Sequence, residues 1–143
     1  MENSELIPLL NKALIDELTA AVVYRMLAEK VIDAPTLACE LRSHADEEMA
    51  HFNDLIAFAN NRGMDESLNI VLDDSVLADI PSGKFAVIKK VQELETIAIQ
   101  DYRNIALKAR STNDLEVENI FMELMMNEIE HFDELAQYTG EHR

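Results

Sequence analysis

The sequence is short of several things: it has one cysteine, three glycines, three prolines and no tryptophan in 143 residues. Each scarcity excludes something. A lone Cys39 can close no internal disulfide and build no thiolate metal site, which points to a reducing compartment, the cytoplasm. With so few glycines and prolines, Ala, Leu, Ile, Met, Glu and Lys dominate, a composition that favours helix. No apolar run is long enough to span a membrane. The opening Met1-Glu2-Asn3-Ser4-Glu5 is acidic with no apolar run behind a basic flank, so no signal peptide is expected. Positive charge is scarce as well: 12 Lys and Arg stand against 28 Asp and Glu, a formal net charge of −16. That balance repels phosphates and argues against nucleic acid as a partner. The length suits a single domain over residues 1–143. Such acidity either keeps a surface solvated or binds cations. Composition does not separate the two; spacing does.

Breaks in the pattern predict four long helices. Helix 1 runs from about Ser4 to Lys30, with Pro8 near its first turn, where a missing N–H is tolerated. Asp33 or Ala34 caps the next helix, Pro35 sits just inside it, and it continues to Arg62, with Gly63 as the left-handed terminal residue. Helix 3 spans roughly Gly83 to Arg110. Ser111-Thr112-Asn113-Asp114 makes a turn in which Asn113 and Glu116 read as a cap box, and helix 4 runs to Tyr138 before Thr139-Gly140. The links between helices 1 and 2 and between 3 and 4 are short, which forces antiparallel neighbours. Met64 to Ser82 is long, with an apolar middle, and can cross the full length of a bundle. The expected fold is all-α: an antiparallel four-helix bundle of two helical hairpins joined by a long crossover, with no fifth helix after helix 4.

Alternating steps of three and four residues trace the buried seam of each helix. Helix 1 gives Leu10, Ala13, Glu17, Ala20, Tyr24 and Leu27; helix 2 gives Leu41, His44, Glu48, His51, Leu55 and Phe58. Helix 3 gives Ile88, Val91, Glu95, Ala98, Tyr102 and Ile105; helix 4 gives Phe121, Leu124, Glu128, His131, Leu135 and Tyr138. Every seam is mostly apolar, and every seam has a glutamate at its third position. Two add a histidine three residues later; the other two place alanine there and tyrosine next. Glu17 and Glu95 are 78 residues apart and Glu48 and Glu128 are 80 apart, as in a duplicated hairpin.

Burying one unpaired carboxylate costs several kcal/mol, and four facing one another also repel. No Lys or Arg lies on these seams. Two divalent cations would balance four carboxylates, and the histidines at i+3 add imidazole nitrogens on the same side. Carboxylate and imidazole without thiolate suit iron or manganese. Glu17, Glu48, His51, Glu95, Glu128 and His131 together make the di-metal carboxylate constellation of helical bundles. A single Glu-x-x-His pair arises easily by chance in an acidic helix; four glutamates in one register do not.

These residues resemble the ferritin-like superfamily, and bacterioferritin within it. The matching stretches are Leu10-Asn11-Lys12 with Glu17-Leu18 and Tyr24, Asp46-Glu47-Glu48-Met49-Ala50-His51, Glu95 ahead of Tyr102-Arg103, and Met122-Glu123-Leu124 with Glu128-Ile129-Glu130-His131. The resemblance covers all four helices. It implies that the six residues above bind two irons, with Glu48 and Glu128 bridging and each His on one metal. It implies that Tyr24 stands beside the site as an electron or hydrogen-bond donor, a position an ordinary core tyrosine would also fill. Met49 falls where bacterioferritins place a methionine that ligates haem b across a two-fold interface, although methionine is also a common gap-filler. Only Glu141-His142-Arg143 follow Gly140, where bacterioferritins carry a short fifth helix. Ser43 and Glu47 stand where some relatives bind iron on an inner wall, and His44 lies one turn before Glu48.

The resemblance implies a di-iron ferroxidase that oxidises Fe(II) with O2 or H2O2 for iron storage or detoxification, as a homo-oligomer of at least two chains. Two rivals share the fold: a rubrerythrin-like peroxide reductase, which would need a separate redox donor, and a manganese catalase. A rival of another class is a non-catalytic helical interaction protein whose seam glutamates face elsewhere.

Overall fold

The computed structural model describes residues 1–72 and 74–139, and among them finds helices, turns and no strand. The helices are α1 (Asn3–Glu29), α2 (Pro35–Asn61), a short α3 (Asp74–Ala78), α4 (Lys84–Ser111) and α5 (Leu115–Ala136), with a single 3₁₀ turn at Asp65–Ser67. α1 packs along α2 and α4 along α5, and α1 also meets α4. This is the expected antiparallel four-helix bundle of two hairpins.

The helix ends follow local chemistry. Ala34 precedes Pro35 and offers no side-chain cap. Gly63, at φ +69°, lets the Met64 N–H reach back to the Ala59 carbonyl at 2.9 Å. That turn also drops Met64 into the core. At the α4–α5 turn the expected cap is displaced by one residue. Asn113 takes the left-handed conformation, φ +60°, and Asp114 caps α5 by accepting the Val117 N–H at 3.3 Å. Asp114 also receives two bonds from Arg62, at 2.9 and 2.7 Å, and the Met1 ammonium at 3.0 Å. The Arg62 guanidinium beside it holds its carboxyl well below the usual range. One carboxylate thus ties the chain start, the end of α2 and the start of α5 together.

The crossover does span the bundle. Leu68 and Ile70 pack against one apolar cluster, and Val76, Leu77 and Ile80 against the other. Asn11 pins it to α1, accepting the Asn69 N–H at 2.7 Å and donating to the Asn69 carbonyl at 3.1 Å. α3, which periodicity did not predict, is a turn-long stretch within this segment. The expected absence of a helix after Gly140 falls on residues 140–143, outside the described residues, and α5 ends two residues before Tyr138.

The two apolar clusters are layers. One contains Leu6, Leu10, Leu14, Phe58, Ile105 and Phe121; the other contains Leu27, Val31, Leu41, Ile88, Val91 and Leu135. Between them lies the level of Glu17, Glu48, Glu95 and Glu128. Each fully buried Leu contributes on the order of 2 kcal/mol of apolar burial, and together these layers flank the buried level of the four carboxyl groups. Among the described residues no helix is long and apolar enough to cross a membrane.

Candidate metal centre

The four seam glutamates converge. Glu17, Glu48, Glu95 and Glu128, with His51 and His131, are all buried. Their donors form two groups. In one, Glu17, Glu48, His51 and Glu128 each present an atom within 4.8 Å of the others; in the second, Glu95 and His131 do so with His44.

Both imidazoles point Nδ1 inward. His51 Nδ1 lies 3.4 Å from Glu17, 3.6 Å from Glu128 Oε1 and 3.8 Å from Glu48 Oε1. His131 Nδ1 lies 3.3 Å from Glu48 Oε1, 3.6 Å from Glu95 and 3.9 Å from Glu128 Oε2. Glu48 Oε1 therefore stands between the two rings, and Glu128 turns one oxygen to each. The rings are nearly parallel, 6.4 Å apart between centroids.

The outward nitrogens are held as well. His131 Nε2 contacts the Glu47 carboxylate, and His51 Nε2 meets the Asn127 amide at 3.2 Å. An Nε2–H donated to Glu47 leaves the Nδ1 lone pair of His131 free to face the centre. On the other side, the Tyr102 hydroxyl donates to Glu17 Oε1. Burial, and then Glu17 itself, push the Tyr102 phenol well above its ordinary range, so it keeps the proton it donates.

The remaining atoms have nothing to bond. Glu17 Oε2, Glu48 Oε1, both oxygens of Glu95 and of Glu128, and Nδ1 of His51 and of His131 are buried without a hydrogen-bond partner. Native interiors pair nearly all such groups. Here the unpaired atoms face one another, and all are good ligands for a hard or borderline divalent cation. Electrostatics say the same. Burial first, then Glu17 and Glu128, push the Glu48 carboxyl well up. Burial followed by the charges of Glu128 and Glu134 raises Glu95 to about 9. Glu128 is raised too, chiefly by burial. Burial alone would lower His51, but Glu17, Glu128 and Glu47 outweigh it and raise it. Protons or cations must neutralise the cluster, and two divalent cations match its charge. The residues present fit a two-metal site.

Tyr24 is buried at the same level, its phenol pushed well up by burial and by the charges of Glu95, Glu48, Glu128 and Glu17. It gives no bond to Glu95, whose oxygens stay unpaired. Instead it lines a cavity of about 190 Å³ with Thr19, Ala20, Glu48, Ala98 and Glu128. Two alanines replace rings at this level, so small molecules have room beside the carboxylates. Met49 stands apart: it is half-buried on α2 and belongs to neither apolar cluster. Sequence reasoning missed the Tyr102–Glu17 bond, the Asn127–His51 contact and the orienting contact of Glu47. Only Tyr102 lay on a seam and was open to detection, as the residue seven places after Glu95.

A four-helix bundle that encloses carboxylates and histidines from facing helices has the arrangement that di-metal carboxylate proteins use. Residues 7–143 match the ferritin-like domain family, and the chain belongs to that family. It is similar to Rhodobacter capsulatus bacterioferritin, solved with a metal-free dinuclear site and haem iron, with a TM-score of 0.79 at 24% identity over 97% of this chain and 86% of that one. It is similar also to a PmFTN variant from a crystal soaked in iron, with a TM-score of 0.77 at 21% identity, covering 97% of this chain and 88% of that one. At these identities the two structures show the fold. No curated protein matches the chain significantly.

Proposed function

We propose that the cluster binds two Fe(II) as substrate and oxidises them, making the chain a ferroxidase that serves iron storage or detoxification. The observation that carries this reading is the set of buried, unpaired carboxylate and imidazole atoms facing one another from four helices. Glu17, Glu48, His51, Glu95, Glu128 and His131 are the ligands, with Glu48 and Glu128 shared because each reaches both histidines. Electrons pass from two Fe(II) to O2 with uptake of two protons, giving two Fe(III) and H2O2, or to H2O2 with two protons, giving two Fe(III) and two waters. The protein fixes the spacing, balances the charge and limits water. Tyr102 holds Glu17 in place, and Glu47 and Asn127 hold the two imidazoles. Tyr24, beside the cavity, is placed to donate a hydrogen bond or an electron to whatever occupies it.

Glu17→Ala and His131→Ala each abolish rapid Fe(II) oxidation while helical content by circular dichroism survives. Unchanged oxidation kinetics in both variants would remove the assignment. Metal analysis of protein purified without added metal, with rates for O2 and H2O2 side by side, separates ferroxidase from the alternatives. Bound manganese or a preference for peroxide turnover selects a manganese catalase or a rubrerythrin-like reductase with its own electron donor.

The same reading takes the chain as one domain that works in the cytoplasm as a homo-oligomer of at least two copies. Its haem component rests on Met49, a thioether left at a half-buried surface position where a second chain could complete a haem b site. A Soret band in wild type that is lost in Met49→Leu supports it; no Soret band after expression with ample haem rules it out.

A further inference from the structure

The cavity beside the carboxylates is larger than the oxidation of iron by O2 or H2O2 requires. It holds about 190 Å³ and lies between α1 and α4, whereas both histidines come from α2 and α5. Its walls sort by polarity. Thr19, Tyr24, Glu48 and Glu128, at the inner end, are buried. Ile15, Val76 and Leu94, half-buried, and Ile97, 55% exposed, form the mouth. The acid at that mouth, Asp16, is taken up by Lys12 at 2.9 Å. A hydrated cation entering there would lose water against apolar side chains and gain no ligand. A molecule with an apolar body would gain contact along the same path.

Thr19 shows what the inner end wants. A threonine inside a helix can return its hydroxyl to the carbonyl one turn back, as Thr96 does to Gln92 at 2.8 Å. Thr19 does not: its Oγ1 is buried and has no partner in the protein. A hydroxyl so placed can both donate and accept. The matching ligand therefore has a compact apolar body and one end that gives and takes hydrogen bonds. O2 makes no use of the hydroxyl, and H2O2 makes no use of the apolar walls. An apolar cavity of about 150 Å³ accepts a molecule the size of benzene, so a branched group of about four carbons fits this one.

We infer that the cavity binds small organic hydroperoxides, with the alkyl group against Ile15, Leu94 and Ile97 and the hydroperoxy end against Thr19 and Tyr24. Binding stands on these residues alone; reduction of the bound molecule rests on the ferroxidase reading above. In that reduction the O–O bond breaks and two Fe(II) give one electron each. Two protons from solvent complete one alcohol and one water, leaving two Fe(III). Iron oxidation is thereby coupled to the removal of organic hydroperoxides.

The test uses full-length protein and tert-butyl hydroperoxide, with tert-butanol, its unreactive reduction product, as the binding probe. In metal-free protein, saturation-transfer NMR should show tert-butanol held by wild type. Thr19→Val should hold it about tenfold less tightly, with Thr19→Ser restoring the affinity. Ala98→Leu, with helical content intact by circular dichroism, should abolish the transfer by filling the space. No transfer to wild type overturns the binding site. Protein loaded anaerobically with Fe(II) should then form one tert-butanol for every two Fe(III), without acetone. Acetone marks one-electron cleavage to a free alkoxyl radical, and acetone as the main product overturns the coupled reaction. Ala98→Leu should raise the KM for tert-butyl hydroperoxide about tenfold more than the KM for H2O2. Equal changes overturn the cavity as the hydroperoxide site while the ferroxidase reading stands. No Fe(II) oxidation by O2 or H2O2 in wild type overturns that reading and the reduction with it, and the binding site is then judged by the metal-free result.

Discussion

The two hairpins of this bundle match position for position and yet are not equivalent. Glu17 and Glu95 occupy corresponding seam positions, as do Tyr24 and Tyr102, Glu48 and Glu128, and His51 and His131. Tyr102 of the second hairpin donates to Glu17 of the first, whereas Tyr24 gives no bond to Glu95 and faces a cavity. His131 is backed by a carboxylate, Glu47, and His51 by a neutral amide, Asn127. One turn before the shared glutamates, α2 presents His44 and α5 presents Leu124. A repeated pattern of acids and imidazoles has thus been given two different surroundings. The His131 side has an imidazole backed by a carboxylate and an unsupported Glu95; the His51 side has an imidazole backed by an amide and a Glu17 held by a phenol. Metal-binding strength is set by such surroundings as much as by the ligands.

The largest effect expected from this inequality is on the metal-free protein as pH changes. Glu95 is raised from an ordinary 4.5 to about 9, first by burial and then by Glu128 and Glu134. A carboxyl raised on folding contributes stability that is complete below its unfolded value and is lost as the pH climbs toward its folded one. Thermal unfolding of the metal-free wild type should therefore fall by about 5 °C or more between pH 5 and pH 9. Glu95→Gln, which cannot ionise, should flatten much of that fall. A wild-type curve no steeper than the variant's would show that Glu95 is not the unsupported member of the pair. The same linkage makes metal uptake at neutral pH release protons, measurable by calorimetry in buffers of different ionisation heat.

The next effect concerns the residues behind the histidines. Glu47→Ala should weaken Co(II) binding at one of the two buried positions by about 10–100-fold. Asn127→Ala should weaken the other by less, since the Asn127 amide N–H that faces His51 Nε2 positions the ring without adding basicity to it. Equal losses in the two titrations would erase the distinction between the halves on this point.

The smallest effect separates the tyrosines. Tyr102→Phe removes the donor from Glu17 and should destabilise the metal-free protein by about 1–2 kcal/mol in urea unfolding. Tyr24→Phe, which breaks no bond to a carboxylate, should stay within about 0.5 kcal/mol. The reverse order would mean that Tyr24, not Tyr102, supports the cluster.

The seam was legible because helical periodicity is a local property. Of the seam positions read from the sequence, only Ala20, Ala98 and Tyr138 are less than fully buried, and the two alanines line the cavity beside the carboxylates. Helix limits fell within a residue or two, since Pro35 and Gly63 act through the backbone of their own turn. Asn113 was misassigned as the cap because its left-handed conformation is imposed by the closing turn, which hands the capping role to Asp114. Glu47 and Asn127 were not legible as supports. Each sits one step off the seam, in a place that reads as solvent-facing until the neighbouring helix is in position.

What the chain alone determined is the one-dimensional pattern: four apolar stripes, each interrupted once by an acid, with imidazoles on two of them. Burial makes that pattern costly unless cations accompany it, so fold and candidate chemistry could be read together. Only the tertiary structure decided which partner each polar atom meets across a helix interface: Tyr102 with Glu17, Glu47 with His131, and His44 between two carboxylates at the rim. Those pairings depend on the relative rotation and offset of helices far apart in sequence, and no local spacing encodes them.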